Sequence, residues 1–487
     1  MPPKVKNPTL FEALIPIFIL IGFLSINVWI FKDDSSYGSN QVALITAAAV
    51  AGLVAFRLGY RWKAILEGIV SSISAAMSAM LILLIIGALA GTWMISGIVP
   101  AMIYYGLDVL NPTIFLFAAC VVSAIVSIAT GSSWTTSATI GVALVGVGKA
   151  LGISEGVIAG AIISGAYFGD KMSPLSDTTN LAPAMAGTEL FTHIRYMFYT
   201  TGPSIAISLL VFLIWGFTLD ATAGVNDVAA VQSAIASKFN INFWLFLVPV
   251  AVIVMIIKKV PALPALFLGS LFGAFFALIF QPEIVISVSQ SDVFSGKAAY
   301  EGVMRAIYGD ISIATGNKSV DKLLTSGGMQ GMLNTIWLII SAMIFGGVME
   351  KAGLLKRIAN TIIKSANSVG SLVASTAATC FVFNVTASDQ YIAIVVPGRM
   401  YSQAYRDRGL APENLSRTLE DSGTVTSVLI PWNTCGAYQS GVLGVATLTY
   451  LPFCFFNLVS PFMTILFAYL NIKIRRLDTK QEEKILA

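Results

Sequence analysis

The sequence predicts an all-α polytopic membrane protein with about ten transmembrane helices plus two re-entrant hairpins, built as two inverted repeats that each hold one hairpin and one broken helix. Three observations predict it. First, only 11% of the 487 residues are charged and 56% are hydrophobic, at a mean hydropathy of +0.82. A soluble domain carries about 25% charged residues, so these charges are too few to cover a water-facing surface. Second, apolar runs near the roughly 20 residues needed to span a bilayer as a helix recur along the chain, without barrel-like alternation. Third, each half contains two polar breaks in the same order, the pattern expected where backbone leaves the helix inside protein or beside a water-filled cavity. This composition excludes a cytosolic enzyme, a disulfide scaffold and a disordered regulator. A net charge of +4 is too small to suggest nucleic-acid binding.

The elements follow in order. Lys4 and Lys6 precede an apolar run over 13–31 with no small-residue cleavage site after it, which predicts a retained first helix rather than a signal peptide. Runs at 41–58 and 70–95 come next. Two irregular zones follow: 112–150, broken at Thr130-Gly131-Ser132-Ser133, and 155–187, broken between Gly169 and Asn180. Spans are predicted at 203–219, 242–257 and 261–280, then a long polar loop over 281–330 and a span at 331–349. The second pair of irregular zones is 368–404, broken at Thr386-Ala387-Ser388-Asp389, and 412–447, broken at Ile430–Gly436; a last span covers 452–471. The resulting units are an N-terminal helix and loop (1–40), repeat 1 (41–219), connecting helices with an extracellular loop (220–330), repeat 2 (331–472) and a tail (473–487). His193 and Arg195 are expected in an inner-surface loop, and Tyr401, Tyr405 and Tyr438 in the interfacial belt. The four cysteines have no metal or redox spacing and read as small hydrophobes.

The halves match at a nearly constant offset. Ser96-Gly97-Ile98 faces Ala352-Gly353-Leu354, and Thr130–Ser133 faces Thr386–Asp389, at 256; Gly152 faces Gly409 and Pro174 faces Pro431 at 257. Charge placement then selects a topology. If every irregular zone crosses once, Lys258, Lys259, Lys351, Lys356, Arg357 and Lys364 all fall outside. If 112–150 and 368–404 are re-entrant hairpins, the basic short loops and the Lys473–Lys484 tail all fall inside, as the positive-inside bias requires. That puts both termini in the cytoplasm and five spans in each half, and an odd number inverts the second half. Both hairpin arms crossing fully gives fourteen spans with the same sidedness, so charge leaves that variant open.

Paired breaks in two halves are the best sequence pointer to a transport site. Free helix ends offer backbone groups, Ser, Thr and Asn offer neutral oxygens, and an intramembrane carboxylate offers charge, which is costly there and functional by default. The first half supplies Ser132, Ser133, Asp170, Ser173, Asp177, Thr178, Thr179 and Asn180; the second supplies Thr386, Ser388, Asp389, Asn433 and Thr434. Lys171 is expected to neutralise Asp170, which makes Asp177 the cation or proton carrier. Asp389 aligns with Ser133, and Thr434 with Asp177. Glu420 and Asp421 are expected to pair with Arg417. Structural uses compete throughout, since Asp177 and Asp389 can each cap the helix that follows.

The run Gly165–Pro183, with Thr130–Thr136, Ser388–Tyr391, Pro397–Tyr401, Leu419–Thr424 and Pro431–Thr434, resembles the signatures of the NhaC family of bacterial sodium/proton antiporters, over about residues 10–475. The resemblance implies an elevator-type transporter of the ion-transporter superfamily, in the bacterial inner membrane; elevator proteins are often dimers, and a homodimer follows here by that analogy alone. It implies Na⁺ and H⁺ as transported ions with no cofactor, and a non-enzymatic role. On that reading Na⁺ is held by Asp177, Thr178 and Asp389. The family also includes a malate/lactate antiporter and relatives linked to amino acids. A coupled exchanger of small organic anions or amino acids is therefore the alternative. No Gly-x-x-x-x-Gly-Lys-Ser/Thr loop is present, so coupling is expected from ion gradients.

Overall fold

The computed structural model of the protein describes residues 5–31, 35, 37–109, 111–219, 225–364 and 366–477. Lys4 and the tail beyond 477 lie outside the described residues. α1 (Leu10–Phe31) and α2 (Ser39–Arg57) follow the first two apolar runs. The expected span 70–95 is instead two helices, α3 (Trp62–Ala75) and α4 (Met77–Ile95), parted at Ala76. α5 (Ile98–Val109) follows Gly97, whose φ of +78° is a left-handed turn that favours glycine.

α6 (Pro112–Thr130) starts on Asn111, whose side chain accepts the Ile114 amide at 3.1 Å, with proline in the first turn. It stops at Gly131, φ +71°. The chain returns through α7 (Ser133–Thr136), a π turn (Ser137–Gly141) and α8 (Val142–Ala150). α9 (Glu155–Met172) breaks over 173–176 and resumes as α10 (Asp177–Ala186). α11 (Leu190–Thr218) is 29 residues long and begins well before the expected 203. His193 and Arg195 therefore sit in its first turns and not in a loop, and His193 is buried against the Ser416 hydroxyl at 2.8 Å.

α12 (Val225–Lys238) leads through a 3-10 turn (Phe243–Phe246) into α13 (Leu247–Ile257), with a bend of 91° between the two helical stretches; α14 (Ala262–Phe280) follows. The expected polar loop 281–330 is folded. It contains α15 (Pro282–Ser289), α16 (Gly296–Tyr308), α17 (Lys318–Leu323), α18 (Gly328–Gly331), and the short antiparallel strands β1 (Ile311–Ser312) and β2 (Thr325–Ser326). Ala298, Gly302 and Ala306 give α16 a buried small face at helical spacing, hidden by its polar composition. This segment packs onto α4: a Cβ at Gly91 would lie 1.7 Å from the Ala306 carbonyl, and one at Gly87 2.2 Å from that of Gly328.

The second half runs through α19 (Leu333–Lys351), α20 (Leu354–Ile363), α21 (Val369–Thr386), α22 (Gln390–Arg406) and α23 (Pro412–Leu419). α23 continues into a π turn (Glu420–Thr424) and a 3-10 turn (Ser427–Leu429), breaks over 430–433, and resumes as α24 (Thr434–Leu443); α25 (Thr447–Tyr450) and α26 (Phe455–Tyr469) complete it. Element starts recur at offsets of 256 (α4 and α19) or 257 (α6 and α21, α9 and α23, α10 and α24). At the hairpin tips the register is 257. Gly131 and Ser388 are both left-handed, and Ser132 and Asp389 both cap the next helix, so Asp389 aligns with Ser132 rather than with Ser133.

Among the described residues, eight helices are long and apolar enough to cross a membrane, or ten with the two bent pairs. The chain is a multi-pass membrane protein. Both α6 and α21, the first arms of the two hairpins, are among the eight. α9 is the central packing element: a Cβ at Gly165 or Gly169 would lie 2.0 or 2.4 Å from a carbonyl of α6. This is the close approach that small residues four apart permit between membrane helices.

Candidate functional site

The two hairpin tips and the two breaks open onto one cavity of about 680 Å³. Asp170, Asp177 and Asp389 all line it, with hydroxyls from Thr130, Ser132, Thr135, Ser176, Thr178 and Thr434. Residues between Ala75 and Ile82, around the α3–α4 junction, and between Ile256 and Leu263, between α13 and α14, complete its lining.

The carboxylates differ in setting. One oxygen of Asp170 accepts both the Ser133 amide, at 3.0 Å, and the Ser133 hydroxyl, at 2.6 Å. The first hairpin tip is thereby held on the end of α9. Asp389 caps α22 by accepting the Ile392 amide at 3.0 Å. Asp177, the first residue of α10, is exposed to the cavity and receives the Tyr391 hydroxyl at 3.5 Å; Ser176, not Asp177, is the N-cap.

Several neutral candidates satisfy the backbone that the breaks set free. Ser173 donates to the Ile128 carbonyl at 2.8 Å, and Asn180 to those of Pro174 and Ser176 at 3.0 and 2.7 Å. Thr179 donates to the carbonyls of Asp170 and Lys171 at 3.2 and 3.0 Å. Thr386 bonds back to Val382 within its own helix. Asn433 donates to the backbone and side-chain oxygens of Asn384, both at 3.1 Å, and caps α24 through the Cys435 amide. The amide of Thr434 donates to the Ser388 carbonyl at 3.0 Å, tying the second tip to the second break. Buried polar groups need such partners; the Ser388 hydroxyl has none among the described residues.

The expected charge partners are rearranged. Lys171 does not neutralise Asp170: it forms a fully buried ion pair with Asp421, which also accepts the Thr200 hydroxyl at 2.8 Å and that of Ser460 at 3.1 Å. Successive helical residues point about 100° apart, so Lys171 turns away from the cavity that Asp170 faces. Arg417 pairs with neither Glu420 nor Asp421. Its guanidinium donates to the Lys473 carbonyl and lies 4.6 Å from the centre of the Tyr196 ring. Glu420 is fully buried, and neither of its carboxylate oxygens has a well-formed hydrogen bond among the described residues.

The tyrosines are not an interfacial belt. Tyr401 bonds to Thr379, Tyr405 to Thr376, and Tyr438 stacks on Trp134 with its hydroxyl on the Trp134 carbonyl, all buried. Sequence reasoning missed Gln390, Cys435 and Lys259 as cavity residues and gave Tyr391 no site role. Gln390 and Tyr391 stand directly after the capping Asp389, where a helix start aims side chains at the break; that signal was legible.

Residues 165–472 match the Na⁺/H⁺ antiporter family. The chain is 35% identical to the Na⁺/H⁺ antiporter NhaC of Alkalihalophilus pseudofirmus, over 96% of this chain and 97% of that one. It is 36% identical to the malate-2H⁺/Na⁺-lactate antiporter of Bacillus subtilis, over 96% and 95% of the two chains. It is also 35% identical to the arginine/ornithine antiporter ArcD of Halobacterium salinarum, over 98% and 95%.

Proposed function

The chain belongs to the Na⁺/H⁺ antiporter family, and from that premise we propose that it is a secondary active transporter exchanging Na⁺ for H⁺ through the cavity between its hairpin tips and breaks. The observation that carries the reading is the gathering of Asp170, Asp177 and Asp389 with the hydroxyls of Thr130, Ser132, Thr135, Ser176, Thr178 and Thr434 around one cavity. Hard oxygen donors of this kind suit a small hard cation. Asp177, exposed and lightly held, is the arriving cation's first ligand, with Thr178 beside it and Asp389 across the cavity. Asp170 couples occupancy to the hairpin. As a carboxylate it accepts two bonds from Ser133, and a cation or proton taking its charge weakens that hold.

The cavity lies where the hairpins and broken helices meet the α3–α4 and α13–α14 junctions. We read that boundary as the seam of an elevator-type displacement of the former group against a scaffold including α13 and α14, and by analogy with elevator transporters we add α2 to that scaffold and a homodimer as the assembly. The recurrence of elements at 256 or 257 supports two inverted repeats with re-entrant hairpins. We place the protein in the bacterial inner membrane with its basic loops cytoplasmic.

The test is reconstitution in proteoliposomes with a trapped pH dye and an imposed Na⁺ step. Proton movement opposite to Na⁺ is expected, with its loss in Asp170→Asn and Asp177→Asn; exchange unchanged in both variants overturns the assignment. A second reading, coupled exchange of a small carboxylate or amino acid, is favoured by one observation: Lys259 lines a cavity much larger than a bare ion needs. In the same vesicles, transport that requires malate, lactate or arginine on one side selects it.

A further inference from the structure

Cation exchange at the cavity carboxylates leaves one buried acid of the second broken helix without a role. Glu420 opens the π turn at the end of α23. Its neighbour Asp421 is fully engaged, with Lys171, Thr200 and Ser460 as partners. Glu420 is equally inaccessible, yet neither oxygen has a well-formed hydrogen bond among the described residues, and the donor beside it is the Thr424 hydroxyl. That hydroxyl likewise has no well-formed hydrogen bond. At about 4.4 residues per π turn, Thr424 stands over the same face as Glu420. Single π turns inside α-helices occur frequently at functional sites.

An ionised carboxylate in a dry interior calls for several donors or a cation, and leaving it bare costs several kcal/mol. A protonated carboxyl needs far less. The charged groups acting on Glu420 are Lys171, Asp170 and Asp421, and Lys171 is already paired with Asp421. The other ionisable groups on the elements packed around the turn include Arg417, the buried Cys380 thiol of α21, Arg399, Tyr401 and Tyr405 of α22, and Asp177 of α10. Arg417 reaches the Lys473 carbonyl and the Tyr196 ring. Tyr401 and Tyr405 of α22 bond to threonines of α21. Asp177 of α10 faces the cavity, and α26 presents Ser460 to the ion pair.

Resting on the antiport reading, we propose that Glu420 is a proton-binding site of the exchange cycle, set apart from the cavity in which the cation sits. A proton on Glu420 keeps the Lys171–Asp421–Glu420 group neutral. A cation arriving at Asp170 adds positive charge next to this group and favours release of that proton. The coupling is reciprocal: a protonated Glu420 weakens cation binding at Asp170.

Purified protein in weakly buffered detergent solution tests this, with a pH dye reporting protons released on adding NaCl and calorimetry reporting Na⁺ affinity. Glu420→Gln keeps the shape of the acid without its proton. The expected result is retained Na⁺ binding, about one proton fewer released per Na⁺, and an affinity that changes by clearly less than the roughly tenfold per pH unit of a one-proton competition. Proton release equal to wild type overturns the proposal. Glu420→Met, apolar and of similar length, gives the same readout should the glutamine variant not fold. Wild-type protein that binds no Na⁺ would overturn the antiport reading itself, a result distinct from a wild type that binds Na⁺ beside a variant with undiminished proton release.

Discussion

Lys171 of α9 and Asp421 of the second broken helix form an ion pair with no side-chain exposure on either partner, joining two segments 250 residues apart. Each half thus contributes one charge to a bond that neither half can make alone. Removing one partner strands the other as a buried charge, at a cost of about 3–5 kcal/mol. Asp421→Asn and Lys171→Met should each lower the unfolding temperature in detergent and the yield of folded protein. The double variant Lys171→Met with Asp421→Leu should recover much of that loss, because hydrophobic replacement of a whole buried pair is often neutral. Single variants as stable as wild type would refute the pair's structural weight.

Ser133 offers a graded probe of the tip. Ser133→Ala deletes the 2.6 Å hydroxyl bond to Asp170 and keeps the 3.0 Å amide bond. A hydrogen bond to a charged group contributes about 1.5–3 kcal/mol. The variant should fold normally and show altered apparent Na⁺ affinity in the vesicle assay, by roughly tenfold at about 1.4 kcal/mol. Affinity equal to wild type would mean that the tip is held by its backbone alone.

The breaks at 131–132, 173–176, 387–389 and 430–433 were legible because each is written locally, in glycine, proline and capping residues that cannot continue a helix. The partner of Lys171 was not. The adjacent Asp170 looks like its counter-ion in a linear reading, but neighbouring helical positions face apart, and the true partner lies in the other half. Tyr401 and Tyr405 looked interfacial for a similar reason. Their burial depends on threonines of α21 that become neighbours only when the hairpin closes. The 281–330 segment was misread because polar residues on the outer side of α16 masked its small inner face. Local chemistry fixed where the chain bends, and long-range pairing decided which charges face the cavity.

Outside the spanning helices, the amide and hydroxyl of Thr315 both donate to one oxygen of Asp321, at 2.6 and 2.7 Å. These bonds hold the Asp321 carboxyl below the usual carboxylate range. A depressed folded value means that the contact stabilises the segment above the unfolded value of about 3.9 and is lost as pH falls through the folded value. Hydrogen-exchange protection around β1 and α17 should hold from neutral pH down to about 4 and fall below it. Asp321→Asn should lower that protection at neutral pH; equal protection in the variant would show that the contact is passive.

Trp134 of the first hairpin stacks on Tyr438 of α24, ring centroids 3.9 Å apart and planes 20° from parallel, while the Tyr438 hydroxyl donates to the Trp134 carbonyl at 3.0 Å. The two contacts separate by substitution. Tyr438→Phe keeps the stack and loses one hydrogen bond, to a carbonyl that the Ser137 amide still serves, at about 1 kcal/mol. Tyr438→Ala also removes the ring and leaves a cavity, at about 3–5 kcal/mol. Because the pair links the tip of one half to the broken helix of the other, its loss should also slow exchange beyond what stability alone explains. A double-mutant cycle of Trp134→Ala and Tyr438→Ala, read by unfolding in detergent, should return a coupling of about 0.5–1.5 kcal/mol. Strict additivity would show that the rings merely adjoin, and that the first hairpin tip is positioned by Asp170 alone.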